Sequence, residues 1–169
     1  MMTAPSAISD LLRFEELASG DHRVDALFRA KFACAPPQVP HHLGVLIDGL
    51  GHEARLASYV HFRRHGAVIL VGGACTDGQV IRQMPAAAQR RIVAAGGIYL
   101  AALRHWFAQF DTGCEAFFGY CGDRRAYEVD IAAGFRDTGR QYLIVKFNPA
   151  LGEADQAHLI DQVAAIAPF

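Results

Sequence analysis

The sequence has almost no charge of one sign to spare. Its 169 residues carry 16 lysines and arginines against 17 aspartates and glutamates, a net charge of -1, so no global field draws the chain to nucleic acid or to an anionic membrane. No hydrophobic run approaches the about 18 residues needed to cross a bilayer, because arginine, histidine, aspartate or glycine interrupts each one. The start, MMTAPSAISD, has neither a basic stretch nor an apolar leader, and Cys34, Cys75, Cys114 and Cys121 form no CxxC pair. Free thiols in a cytoplasmic protein away from membranes are the expectation. The histidines are scattered and the pair His41-His42 lacks any HExxH or cysteine spacing, so no metal site is expected. Internal repeats and low-complexity linkers are also missing, and the length suits a single domain over residues 1–169 that buries a core without staples. An apolar share of 52% leaves an apolar groove or a homodimer interface open.

Hydrophobic periodicity reads as mixed α/β. Residues 11–17 (LLRFEEL) suit a strand, and SGDHRVDALFRAKF a helix capped by Ser19 or Asp21, with Val24, Leu27, Phe28 and Phe32 on one face. After Pro36, Pro37 and Pro40, a second helix is read through HLGVLIDGL, residues 42–50. Residues 56–63 and 67–73 read as strands joined at Arg64-His65-Gly66, and 79–84 as a third strand after the Asp77-Gly78 turn. Leu100, Leu103, Phe107 and Phe110 mark a long helix from Gly97, with Trp106 and Phe107 in its core stripe. A strand at 115–120, a helix from Asp123 to Gly134, a strand at 142–147 and an amphipathic helix at 153–166 complete the order.

One segment is rich in small residues just before the long helix: Arg91, Ile92, Val93, Ala94, Ala95, Gly96 and Gly97. Small residues let a ligand approach the main chain, and the free N–H groups of a first helical turn favour an anion. Close packing of helix on sheet explains the same composition. Arg91-x-x-Ala94-x-Gly96 resembles the Q/R-x-x-G-x-G/A motif of the GNAT superfamily of N-acetyltransferases, with alanine for the middle glycine. Asp123-x-x-Ala126 followed by Gly134-Phe135 resembles that family's later N-x-x-A-x-x-x-Y-x-x-x-G-F motif, at offsets of three, eleven and twelve residues. With the strands before them, the resemblance spans residues 11–147.

The resemblance implies a GNAT-like acyl-CoA N-acyltransferase fold, a central twisted mixed β-sheet flanked by helices. It implies acetyl-CoA or another acyl-CoA as co-substrate, and an amine acceptor, small molecule or protein, attacking directly in a ternary complex. Amides of residues 92 to 97 would hold the pyrophosphate with Arg91 beside it, and Asp123 would meet pantetheine. The strand ending at Met84 would splay from its parallel neighbour at 115–120, and the Met84 N–H would polarise the thioester carbonyl. Asp130 stands where the family often has the tyrosine that protonates the thiolate; Tyr127, one turn earlier, is the nearest phenol. Asp130 reads better as an ionised group that orients the acceptor, with Arg124 and Arg125 nearby. Asp77, His61, Glu115, Asp130 and Tyr142 are candidate bases, although an aspartate before glycine such as Asp77 suits a turn and a strand histidine such as His61 suits a structural role. A non-catalytic coenzyme A-binding or protein-interaction module of the same fold is the alternative.

Overall fold

The computed structural model describes residues 8–169. Eight strands form one sheet in the order β1-β2-β3-β4-β6-β8-β7, with the short β5 paired to β3. They are β1 (Arg13–Leu17), β2 (His41–Ile47), β3 (Arg55–His65), β4 (Val68–Val71), β5 (Cys75–Thr76), β6 (Ala116–Tyr120), β7 (Arg136–Asp137) and β8 (Leu143–Phe147). The helices are α1 (His22–Phe32), α2 (Gly78–Arg82), α3 (Ala86–Ala94), α4 (Ile98–Phe110), α5 (Arg124–Ala132) and α6 (Glu153–Ala164). All strand pairs are antiparallel except β4 with β6. The α4 crossover between those two is the connection a parallel pair requires.

Strand alternation assigns the two faces. Ile69 and Val71 of β4, Phe117 of β6 and Ile144 of β8 join the core beneath α4. Their neighbours Val68, Leu70, Ala116, Phe118, Leu143 and Val145 pack under α6 instead, while Leu46, Leu56 and Tyr59 pack under α1 on that same side. The sheet therefore lies between two helical layers. Within α4 the expected stripe is buried at Leu100, Leu103 and Phe107, with Trp106 beside it and Phe110 half-buried, and Asp21 caps α1 by accepting the Arg23 N–H.

Three readings change. The segment read as a helix over residues 42–50 is β2, whose Leu43, Val45, Leu46 and Ile47 are all buried. A strand covered on both faces loses its alternation, and a short apolar run then looks like a buried helix. The segment 79–84, read as a strand, is α2 and its exit, because Asp77 serves as a helix cap rather than a hairpin turn: its side chain accepts the Gln79 N–H at 2.8 Å. The parallel neighbour of β6 is accordingly β4 and not a strand ending at Met84. Finally, the segment before α4 contains the helix α3, started by Pro85 and carried by alanines.

Leu103, fully buried on α4, and Val93, 76% exposed on α3, make a paired test of this layering. Leu103→Ala should lower unfolding free energy by about 2–5 kcal/mol in urea titration, and Val93→Ala by less than about 0.5 kcal/mol. Equal costs would contradict the packing of α4 on the sheet.

Candidate active site

The sheet opens where β4 and β6 part. Their ladder runs from Val68 opposite Ala116 to Val71 opposite Gly119 and stops. Beyond it the chain passes Gly72, Gly73 and Ala74 to β5, which pairs back to β3 with Tyr59 opposite Cys75. One residue more lies between Val71 and Cys75 than between their partners Phe62 and Tyr59, so this stretch is a β-bulge. On the other side β6 continues along β8, Tyr120 opposite Leu143, and the Cys121 N–H donates to the Tyr142 carbonyl at 2.8 Å. Each strand leaves with its own antiparallel partner, and β5 keeps a strand neighbour on one side only.

The first turn of α4 arrives at this opening. Its N-cap is Gly97, with no side-chain cap, and the first backbone bond into the helix is the Ala101 N–H to Gly97. The amides of Ile98, Tyr99 and Leu100 precede that bond and lack an intrahelical acceptor. Gly96 and Gly97 sit at φ of 87° and 97°, a left-handed conformation that glycine adopts without strain. The expected cradle one turn earlier is closed: Ile92, Val93 and Ala94 lie inside α3, and the amides of Ala95, Gly96 and Gly97 donate to Arg91, Val93 and Ile92 carbonyls. The Arg91 guanidinium binds both carboxylate oxygens of Asp10, at 2.6 and 3.0 Å. Met84 does not end a strand; its N–H donates to the Ile81 carbonyl at 3.1 Å and its side chain is buried.

Two titratable clusters border the opening. Asp130, the one buried residue of α5, accepts a hydrogen bond from the Tyr99 hydroxyl at 3.0 Å. Burial raises its carboxyl pKa, against the lowering effect of its Tyr99 and Cys121 hydrogen bonds. No arginine stands beside it: Arg124 pairs with Glu128 at 3.5 Å. The expectation of a carboxylate favoured by Arg124 and Arg125 therefore fails for lack of a neighbouring cation. Tyr99 is pushed well above the usual phenol range by burial and then by Asp130. Sequence reasoning missed Tyr99; its signal is a lone hydroxyl in the first turn of an otherwise apolar helix. Tyr127 turns elsewhere, its hydroxyl donating to Asp137 at 2.6 Å, and Asp123 caps α5 by accepting the Ala126 N–H at 2.9 Å.

The second cluster lies under α1. His42 Nδ1 is 2.6 Å from the Tyr59 hydroxyl, and the next inward residue on that face of β3 is His61, 8% exposed. His42 Nε2 and His61 Nδ1 are buried without a partner among the described residues. A Cβ on Gly72 would lie 1.8 Å from His61 Nε2, so the bulge glycine makes room for the imidazole edge. Burial first, then the charges of His42 and Arg63, pushes the His61 pKa down to about 4. Burial likewise pushes the Cys75 thiol up to about 12 and the Cys121 thiol up to about 11, which makes both poor nucleophiles. Asp77 is at the exit of β5, one oxygen spent on capping α2. No group of His, Cys, Asp and Glu among the described residues could hold a metal, and no described helix is long and apolar enough to cross a membrane.

His61 sets a pH dependence with a definite sign. The native state holds it neutral down to about 4, whereas an unfolded histidine titrates near 6.5; between those values the unfolded chain binds more protons. Native stability is therefore full above pH 6.5 and should fall by up to ~3 kcal/mol as pH drops to about 4. Urea midpoints across this range should fall less steeply in His61→Gln, and parallel slopes would contradict the assignment. Gly72→Ala should cost about 1–3 kcal/mol by overpacking, and less in a chain already carrying His61→Ala.

No family model matches the sequence, and no curated protein matches it. Solved structures do match. The ribosomal-protein-S18-alanine N-acetyltransferase from Escherichia coli superposes with a TM-score of 0.58 at 12% identity, covering 85% of this chain and 97% of its own. The ribosomal-protein-S5-alanine acetyltransferase from Vibrio fischeri gives 0.53 at 13%, covering 83% and 95%. The catalytic domain of the Tetrahymena GCN5 histone acetyltransferase, in complex with coenzyme A, gives 0.50 at 16%, covering 83% and 96%. At such identities the likeness concerns the fold: the chain has the fold of the GNAT acetyltransferases.

Proposed function

We propose that the protein transfers an acetyl or other short acyl group from coenzyme A to an amine. The observation that carries this reading is the early end of the β4/β6 ladder beside the uncapped first turn of α4. An extended pantetheine arm fits such an opening as an added strand, hydrogen-bonding to the free edge at residues 73–76. The Ile98, Tyr99 and Leu100 amides take the pyrophosphate, with the helix dipole behind them. They replace the amides of residues 92 to 97, which are spent inside the chain. The Gly73 and Ala74 amides take over from Met84 as donors to the thioester carbonyl, where charge develops during attack.

The amine nitrogen attacks the carbonyl carbon, the C–N bond forms, and the C–S bond breaks with its electron pair leaving on sulfur. Asp77 holds the incoming ammonium, which first gives one proton to water to become the neutral amine; after attack the second proton leaves nitrogen for water by way of neutral His61, whose pKa of about 4 keeps it from retaining that proton. Asp130 returns a proton to the thiolate. A carboxyl raised by burial keeps that proton to higher pH than an exposed one, and a thiolate of reference pKa near 8.5 receives it downhill. Tyr99 positions Asp130 through its 3.0 Å hydrogen bond.

The Asp10 pairing of Arg91 and the closed turn at residues 95 to 97 favour the second reading, a non-catalytic coenzyme A-binding or protein-interaction module of the same fold. Thiol release from acetyl-CoA across a panel of amines separates the two: binding of coenzyme A with no release from any amine would leave only the module.

If Asp130 is the acid, Asp130→Asn should lower kcat by about 100-fold while leaving coenzyme A affinity unchanged. Wild-type kcat should decline as pH rises through the raised pKa of Asp130, and that limb should vanish in the asparagine variant. Asparagine can still accept from Tyr99 and removes a buried carboxylate, so its melting temperature relative to wild type should rise with pH. An unchanged kcat in Asp130→Asn would remove this residue from the reaction.

A further inference from the structure

Beside the opening lies a cavity of about 670 Å³ between α1, the start of β3 and α2, a volume typical of sites for small molecules. Lys31 from α1, Arg55 from β3 and Arg82 from α2 line it, and their side chains form no hydrogen bond or ion pair among the described residues. The carboxylates in the wall do not neutralise them. Glu53 is 4.0 Å from His22, and Asp77 spends one oxygen on the cap of α2. A fourth cation of the wall, Arg23, is held by Asp21 at 2.7 Å, and an anion that enters can form charge-assisted hydrogen bonds with the other three.

The cavity adjoins the place where the acyl group would be. Thr76 and Asp77, at the exit of β5, belong to its wall. The charge of Lys31 is felt by both Cys75 and Asp123, which stand on opposite sides of the opening. The second oxygen of Asp77 has no partner among the described residues, so the wall offers both an available carboxylate oxygen and unpaired cations. That combination of charges matches a small molecule carrying both an ammonium and an anionic group.

We infer that this cavity binds the acceptor, a small amine carrying a carboxylate or phosphate at its far end. The inference rests on the acyl-transfer reading, with the amine at Asp77 and the anionic tail among Lys31, Arg55 and Arg82. A volume of this size with walls on three elements suits a small molecule better than a peptide.

The test uses the full chain, acetyl-CoA and four amines of similar length: 4-aminobutyrate, 3-aminopropyl phosphate, butylamine and 1,4-diaminobutane. Thiol release should favour the two anionic amines by about tenfold or more in kcat/KM, and the ratio between them tells carboxylate from phosphate. Arg55→Ala and Arg82→Ala should each raise the KM of the anionic amines by about tenfold with coenzyme A affinity unchanged, and the lysine variants should recover most of it. Equal rates across the panel would overturn the inference while leaving acyl transfer standing. So would alanine variants that weaken coenzyme A instead, since the cations would then serve the cofactor's phosphates. A titration of 3-aminopropyl phosphate without coenzyme A, followed by NMR, separates the remaining cases. Binding that is lost in the alanine variants, with no thiol release from any amine, supports the ligand class and overturns acyl transfer. No binding and no preference overturns the inference.

Discussion

The parallel pairing of β4 with β6, and its end at Val71 and Gly119, governs what the rest of the molecule can do. A parallel pair needs a crossover, and here α4 supplies it, so the N-terminus of α4 must return to the end of the sheet where the ladder stops. The two strands part because each is held more extensively on its other side. The bulge at residues 72–74 lets the chain rejoin β3 as β5, while Tyr120 stays on β8. A sheet that continued its ladder past Gly119 would satisfy those edges internally and leave no polar main chain for an extended ligand.

Burial around the opening drives titratable groups toward their neutral forms. Asp130 is raised, Tyr99 is raised, His61 is lowered and Cys75 is raised, with desolvation the largest cause in each. Unpaired cations line the cavity where α1, β3 and α2 meet the solvent. This separation suits a reaction between a thioester and a neutral amine, in which protons move over short distances and fixed charge near the sulfur would favour one state throughout. The charged cavity beside it can then select the acceptor without disturbing the proton chemistry.

The sequence disclosed the elements with a strong period and misplaced those without one. The stripe of Leu100, Leu103 and Phe107 gave α4, the Asp21 cap gave α1, and Gly66 after polar residues gave the turn between β3 and β4. β2 was hidden because burial on both faces erases alternation, and α2 because an aspartate before glycine can start a turn or cap a helix. The site suffered from the same two errors. With residues 79–84 read as a strand, the splayed edge and its amide donor fell on Met84, some distance along the chain from the bulge that borders the opening. Asp130 was legible as a departure from the family motif, but the rise in its pKa was not, since that comes from burial, a tertiary fact.

The helix caps carry the argument about the cofactor one step further. Three helices begin near the opening, and two of them satisfy their own first turns: Asp77 caps α2 and Asp123 caps α5, each accepting a main-chain N–H. Only α4 starts on a glycine without a side-chain acceptor. Gly97 sits at φ of 97°, a conformation that a serine or aspartate cap would hold only with strain, so the donors of the first turn are left to whatever lies beyond them. On the proposed reading, the capping carboxylates of Asp77 and Asp123 disfavour a pyrophosphate at the first turns of α2 and α5 and leave it the first turn of α4. On that reading, too, the shift of the phosphate site from residues 92–97 to the first turn of α4 follows from which helix ends the chain has capped for itself.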